Sequence, residues 1–159
     1  MTERMDAAAP ADAPGGDLKL LMDVLAAAPR ADIEACVEVL GDLPEAVPVR
    51  GPETGLVMVR GRIGGDGAPF NLGEAAVTRA SVRLADGSVG HAYALGQDRA
   101  KASLSARLAA AWVQGDLRSE IETLVRDPLM AARAAEVSQV KREAAATKVE
   151  FFTMVRGDD

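Results

Sequence analysis

Apolar residues recur at helical spacing towards both ends of the chain and alternate singly through its middle. Leu18, Leu21, Met22 and Leu25 fall on one helical face behind Asp17, a capping residue type, and Pro29 ends the run. Asp32 opens a second stripe, Ile33, Cys36, Val37 and Leu40, which Gly41 closes. Two short amphipathic helices joined at a proline predict a helical hairpin. The period then changes. A short strand is predicted around Val47 to Arg50, a turn at Gly51-Pro52, and a longer strand from Leu56 to Ile63. In that longer strand Val57, Val59 and Ile63 alternate with Met58, Arg60 and Arg62. Two more strands flank Asp86-Gly87, a hairpin dipeptide. In the first, Ala80, Val82 and Leu84 oppose Arg79, Ser81 and Arg83. In the second, Val89, His91, Tyr93 and Leu95 oppose Gly90, Ala92 and Ala94. Helical spacing returns behind Asp98, with Leu104, Leu108 and Trp112 in register and Gly115 as the stop. A shorter helical stretch follows over residues 117–125. Asp127-Pro128 reads as a cap and a first-turn proline opening the last helix, whose thin stripe runs through Leu129, Val137 and Val140.

These elements predict one α+β domain over residues 17–159. It comprises an N-terminal helical hairpin, a roughly four-stranded antiparallel sheet covered by helices on at least one face, and C-terminal helices. Residues 1–16, rich in Ala, Pro, Gly and Asp, are expected to be a disordered leader.

Composition narrows the function classes. The 159 residues are 48% hydrophobic but only 3% aromatic, so the interior is expected to be built from Ala, Val, Leu and Met. A net charge of −6 argues against a nucleic-acid binder, which normally carries a basic footprint. No apolar run approaches the roughly 20 residues of a membrane span. The first residues lack the basic start and apolar stretch of a secretory signal. One cysteine forms no internal disulfide, and one cysteine with one histidine makes no metal cage. The expected compartment is the cytoplasm.

Four features carry candidate chemistry. The glycine-rich stretch GGDGAPFNLGE, Gly64 to Glu74, has the composition of phosphate-cradling turns. It lacks the spacing and the strand–loop–helix setting of a P-loop, so a hairpin connection is the plainer reading. Arg60, Arg62, Arg79 and Arg83 share one sheet face if the apolar faces pack on the same helices. Glu53, Glu74, Asp86, an anionic ligand or a partner must then compensate them. His91, between Val89 and Tyr93 at strand spacing, reads as a packed, hydrogen-bonded histidine. An acid–base role would need a carboxylate or substrate beside it, and nothing else completes a nucleophile–base–orienter set. No catalytic or metal-binding residue is therefore assigned. Cys36 lies within an apolar stripe and reads as packing. Finally, Phe151 and Phe152, followed by Met154 and Val155, gather two of the three phenylalanines near the end of the chain. Such a patch must be covered by the sheet or by another chain, and scarce aromatics favour the latter.

The stretches ETGLVMVRGRIGG, GEAAVTRASVRLADGSVGHAYALGQD and VEFFTMVRGD resemble the PhnG family, a small subunit of the bacterial carbon–phosphorus lyase system for phosphonate breakdown. The likeness runs from about Glu53 to Asp158. It implies a hetero-oligomeric core with PhnH-, PhnI- and PhnJ-type subunits, two copies of each, working with a PhnL-type ATPase. It also implies support for displacement of adenine from ATP by methylphosphonate, giving α-D-ribose 1-methylphosphonate 5-triphosphate. ATP and the alkylphosphonate are then substrates of the complex, and no cofactor is expected on this chain alone. The family supplies no catalytic residue to carry over. The expected partner interface is Phe151, Phe152, Met154, Val155 and Arg156, on a chain that is not catalytic by itself. The alternative gives Arg79, Arg83, Gly64 and Gly65 direct contact with phosphate or phosphonate at a composite site.

Overall fold

The computed structural model describes residues 14–64 and 67–146. Helix α1 (Pro14–Ala27) and helix α2 (Arg30–Leu40) are the two expected N-terminal helices, but they pack on the turn of residues 122–126 rather than chiefly on each other. Gly41 is the C-cap of α2 at φ 93°. Asp17 and Asp32 do not cap these helices. Both lie within the first turn, where a carboxylate favours the positive helix end, and Pro29 occupies the N-cap of α2.

The sheet has three strands, not four, in the order β1 (Ala46–Arg62), β2 (Pro69–Leu84), β3 (Val89–Leu95), with both pairings antiparallel. The expected turn at Gly51-Pro52 is instead an irregularity inside one long strand. The register slips between Arg50 and Glu53 while β1 continues along β2. The expected loop to Glu74 also ends early, since β2 begins at Pro69. Asp86-Gly87 does turn the chain from β2 to β3. The Asp86 carboxylate accepts from the Ser88 amide and hydroxyl, which holds its pKa below the ordinary value.

Helix α3 (Arg99–Gln114) joins the two halves of the core. The Asp98 carboxylate accepts from the Lys101 amide at 2.9 Å, and Gly115 closes the helix in the left-handed region. One face carries Ala102, Ala106 and Ala110, which meet Ala80, Val82, Leu84 and Ala92 of the sheet. The other carries Leu108, Ala111 and Trp112, which pack with Leu21, Val24, Leu25 and Ile33 of the two N-terminal helices and with Ile121, Val125 and Leu129. Small residues towards the sheet bring the helix close; large residues towards the helices fill the wider gap. The buried core contains Ala, Val, Leu, Ile and Trp but, among the described residues, no Met.

Helix α4 (Arg118–Ile121) runs through a π-turn (Glu122–Arg126) into α5 (Asp127–Ala146) without a break. Asp127 is helical, at φ −66° and ψ −43°, so it is not the cap its sequence suggested. Pro128 has no amide hydrogen and its ring crowds the carbonyl of the preceding turn. The widened turn just before it, closed by the Asp127 amide on the Glu122 carbonyl, gives that ring room. Only the start of α5 is covered. Leu129 is buried, whereas residues 130–146 are exposed, including Val137 and Val140 of the expected stripe.

Candidate functional site

All the described helices that touch the sheet lie against the face of Ala80, Val82, Ala92 and Ala94, which leaves the opposite face open. Alternation along β2 puts Arg79, Ser81 and Arg83 on this open face, where they pair with Tyr93, His91 and Val89 of β3. The Glu53 carboxylate accepts from Arg79 Nε at 2.6 Å and lies 3.4 Å from Arg50 Nε. Glu53 is thus the compensating acid among those the sequence offered. Its hydrogen bond and charge, with a smaller contribution from Tyr93, hold the Arg79 guanidinium still more firmly protonated. A shallow cleft of about 280 Å³ lies beside this pair, bordered by Val57, Val77 and Tyr93.

The four arginines do not share a face. Val57 and Val59 pair with Ala75 and Gly73, on the same side as Arg79, so Arg60 and Arg62 fall on the helix-side face. They sit beyond the reach of the helices, and Arg60 Nε donates to Asn71 Oδ1 at 3.4 Å. Arg83 is four residues along β2 from Arg79, roughly 13 Å at strand rise. It opens on a different cleft, of about 580 Å³, with Arg107, Glu45 and Val47. Arg107 is occupied there by the carbonyls of Leu43 and Pro44, each at 3.3 Å.

Gly64 adopts φ +65° at the end of β1. It stands eleven residues along the strand from Glu53, the partner of Arg79, or roughly 36 Å of extended chain. The glycine loop and the two arginines therefore do not converge on one ligand within this chain. Gly65 lies outside the described residues, as do Phe151, Phe152, Met154, Val155 and Arg156.

His91 is exposed rather than packed, and its Nδ1 is 2.8 Å from Ser81 Oγ. Among the described residues no carboxylate bonds to it. The cavity touching it measures about 10 Å³, room for one water at most and not for a substrate. Burial, then the nearby Asp32 carboxylate, pushes the Cys36 thiol above its ordinary pKa, which keeps it protonated and unreactive at neutral pH. Among the described residues no group of His, Cys, Asp and Glu is placed to hold a metal, and no helix is long and apolar enough to cross a membrane.

What the sequence reading missed is the extent of uncovered apolar surface. Beyond the reach of β3, the β1–β2 hairpin continues as a bare ribbon with Leu56, Val57, Met58, Val59, Phe70 and Leu72 exposed. The signal was present in GLVMV and in PFNL, two apolar runs whose partner alternation alone does not supply.

The comparisons with known proteins agree with one another. The model of phosphonate metabolism protein PhnG matches residues 19–157. The alpha-D-ribose 1-methylphosphonate 5-triphosphate synthase subunit PhnG of Rhizobium meliloti (strain 1021) is 48% identical over 156 residues, covering 98% of this chain and 99% of that protein. The chain belongs to the PhnG family of phosphonate metabolism proteins.

Proposed function

We propose that this chain is a non-catalytic subunit of an α-D-ribose 1-methylphosphonate 5-triphosphate synthase in the cytoplasm, working with PhnI-, PhnH- and PhnJ-type subunits and a PhnL-type ATPase. The observation that carries the reading is the open sheet face and bare hairpin, too much apolar surface for a chain that acts alone. The 48% identity to a protein named as a synthase subunit supports it. In the reaction, a methylphosphonate oxygen bonds to C1′ of the ATP ribose while the bond from C1′ to adenine N9 breaks, and adenine leaves with a proton. This chain contributes surface to the assembly that does this chemistry. The experiment is expression of the chain with and without the other subunits, followed by chromatography with light scattering. Joint elution at a hetero-oligomeric mass is expected; separate elution of a chain that needs no partner would refute the proposal. Replacing Phe151 and Phe152 by Ala should reduce recovery of the partners.

A second reading has one observation in its favour: Arg83 has no ion pair with a carboxylate among the described residues and faces a cleft of about 580 Å³. There it would meet a phosphate or phosphonate oxygen at a composite site, and Arg79, on its separate cleft, would meet a different anionic group once Glu53 is displaced. Arg83→Ala and Arg79→Ala would then cut turnover while the assembly still forms. Loss of assembly instead would make these arginines structural.

A further inference from the structure

We propose that the distal half of the β1–β2 hairpin, residues 56–62 with 69–76, is an insertion arm. It seats in an apolar slot of another synthase subunit whose carboxylates meet Arg60 and Arg62. The inference rests on the synthase reading above and adds to it the element that docks and the chemistry of what receives it.

Strand β3 pairs with residues 77–83 of β2 and goes no further, so the arm is two-stranded. At its base the Thr54 and Thr78 hydroxyls meet at 2.9 Å, and Thr78 also donates to the Gly96 carbonyl at 2.7 Å. Past that clamp no other described element covers either face. Val57, Val59, Phe70 and Leu72 lie on one face, and the Leu72 side chain closes over Gly61, where a Cβ would collide with it. Leu56 and Met58 lie on the other, at 66% and 53% exposure. A flat partner would cover only one of these faces, whereas a slot covers both. A bare two-stranded ribbon is marginal in water, and its long apolar edges invite pairing with other chains. Neither property suits an element left unpartnered.

Charge selects the kind of partner. The arm carries two arginines and one glutamate in a chain of net charge −6. Among the described residues the arginines find only weak neutral acceptors, Asn71 Oδ1 at 3.4 Å for Arg60 and the Gly67 carbonyl at 3.5 Å for Arg62. A second copy of this chain docked arm to arm would bring the same arginine pair up against itself across a two-fold axis. Carboxylates on a different subunit complete the pair instead.

The test uses the full chain, alone and assembled with the other synthase subunits, followed by backbone hydrogen exchange and by affinity measurement. Arm amides should exchange at least about tenfold more slowly in the assembly, while the amides of α3 stay unchanged. Arg60→Glu with Arg62→Glu should weaken assembly at least about tenfold and leave the melting temperature of the isolated chain within about 2 °C, since both side chains are exposed. An assembly that forms and releases adenine with arm exchange unaltered would overturn the inference and leave the synthase reading standing. Arm protection already present in the isolated monomer would overturn it in favour of the chain's own C-terminal residues. Protection present in an isolated dimer would do so in favour of a second copy. Failure of the unaltered chain to assemble at all would remove the synthase reading, and the inference with it.

Discussion

Replacing Gly90 by Ala would place a methyl group on the carbonyl oxygen of Ala106 and the amide nitrogen of Ala110, and 2.8 Å from Ala110 Cα. Non-bonded carbons settle about 3.5–4.0 Å apart, so α3 must retreat from β3 by about 1 Å. The obstacle is helix backbone and no rotamer change relieves it. A retreat of that size forfeits between a quarter and a half of the dispersion attraction across the gap. In the layer it opens, Ala102, Ala106 and Ala110 against Ala80, Val82, Leu84 and Ala92, only Leu84 has a side chain long enough to follow. Overpacking ordinarily costs about 1–3 kcal/mol, and a backbone obstacle belongs at the upper end, about 3 kcal/mol. For a chain of this size that lowers the melting temperature by roughly 6–12 °C. Thermal unfolding followed by circular dichroism measures it, with Gly55→Ala as the control. A Cβ at Gly55, another strand glycine, meets nothing within 4 Å, so that variant should melt within a few degrees of the parent. A Gly90→Ala protein that melts within about 2 °C of the parent would refute the close helix–sheet contact.

The one tryptophan gives a second handle. Trp112 Nε1 donates to Glu122 Oε1 at 3.0 Å, and the Arg118 guanidinium lies 4.3 Å from the ring centroid. Glu122→Ala strands the indole donor and should cost about 1–2 kcal/mol, read as an earlier urea midpoint by tryptophan fluorescence, while Glu122→Gln keeps an acceptor and should cost less. Lys101 is buried, with its Nζ donating to the Ala26 carbonyl at 2.7 Å. Burial lowers its pKa below the ordinary 10.5, and Asp98 only partly offsets this. In the interval between the lowered folded value and 10.5 the unfolded chain binds the extra proton, so stability from this group rises with pH. The melting temperature of the parent relative to Lys101→Met should therefore climb as pH is raised through that interval; a flat or falling difference would show the ammonium is not desolvated.

Much of the frame was legible because particular residues leave one local solution. Asp98 and Gly115 bound α3, Gly41 ends α2, and Asp86-Gly87 turns the hairpin, each by chemistry confined to a few residues. What was not legible depended on relations between elements. In β3 the large side chains of Tyr93 and Leu95 face outward while Gly90, Ala92 and Ala94 face inward. The pattern is set by how closely α3 approaches, which alternation in one strand does not disclose. The arginine face has the same origin, since alternation alone groups Val57 and Val59 with the helix-facing apolar residues and the β1–β2 register puts them opposite. Pro128 looked like a helix start because a π-turn, the device that accommodates it within a longer helix, has no sequence signature of its own. At the candidate site Glu53 was nameable as a counter-ion, but its choice of Arg79 follows from strand pairing.

The described helices cover one face of the sheet, the hairpin beyond β3 exposes apolar side chains, and the family to which the chain belongs takes part in phosphonate metabolism. The most direct measurement is adenine release from ATP with methylphosphonate, made on the purified chain alone, on the reconstituted assembly, and on the assembly with this chain left out. No release by the chain alone is predicted, with turnover by the full assembly that falls when the chain is omitted. Sustained adenine release by the isolated chain, or full turnover in its absence, would contradict the assignment of a non-catalytic, structurally required subunit.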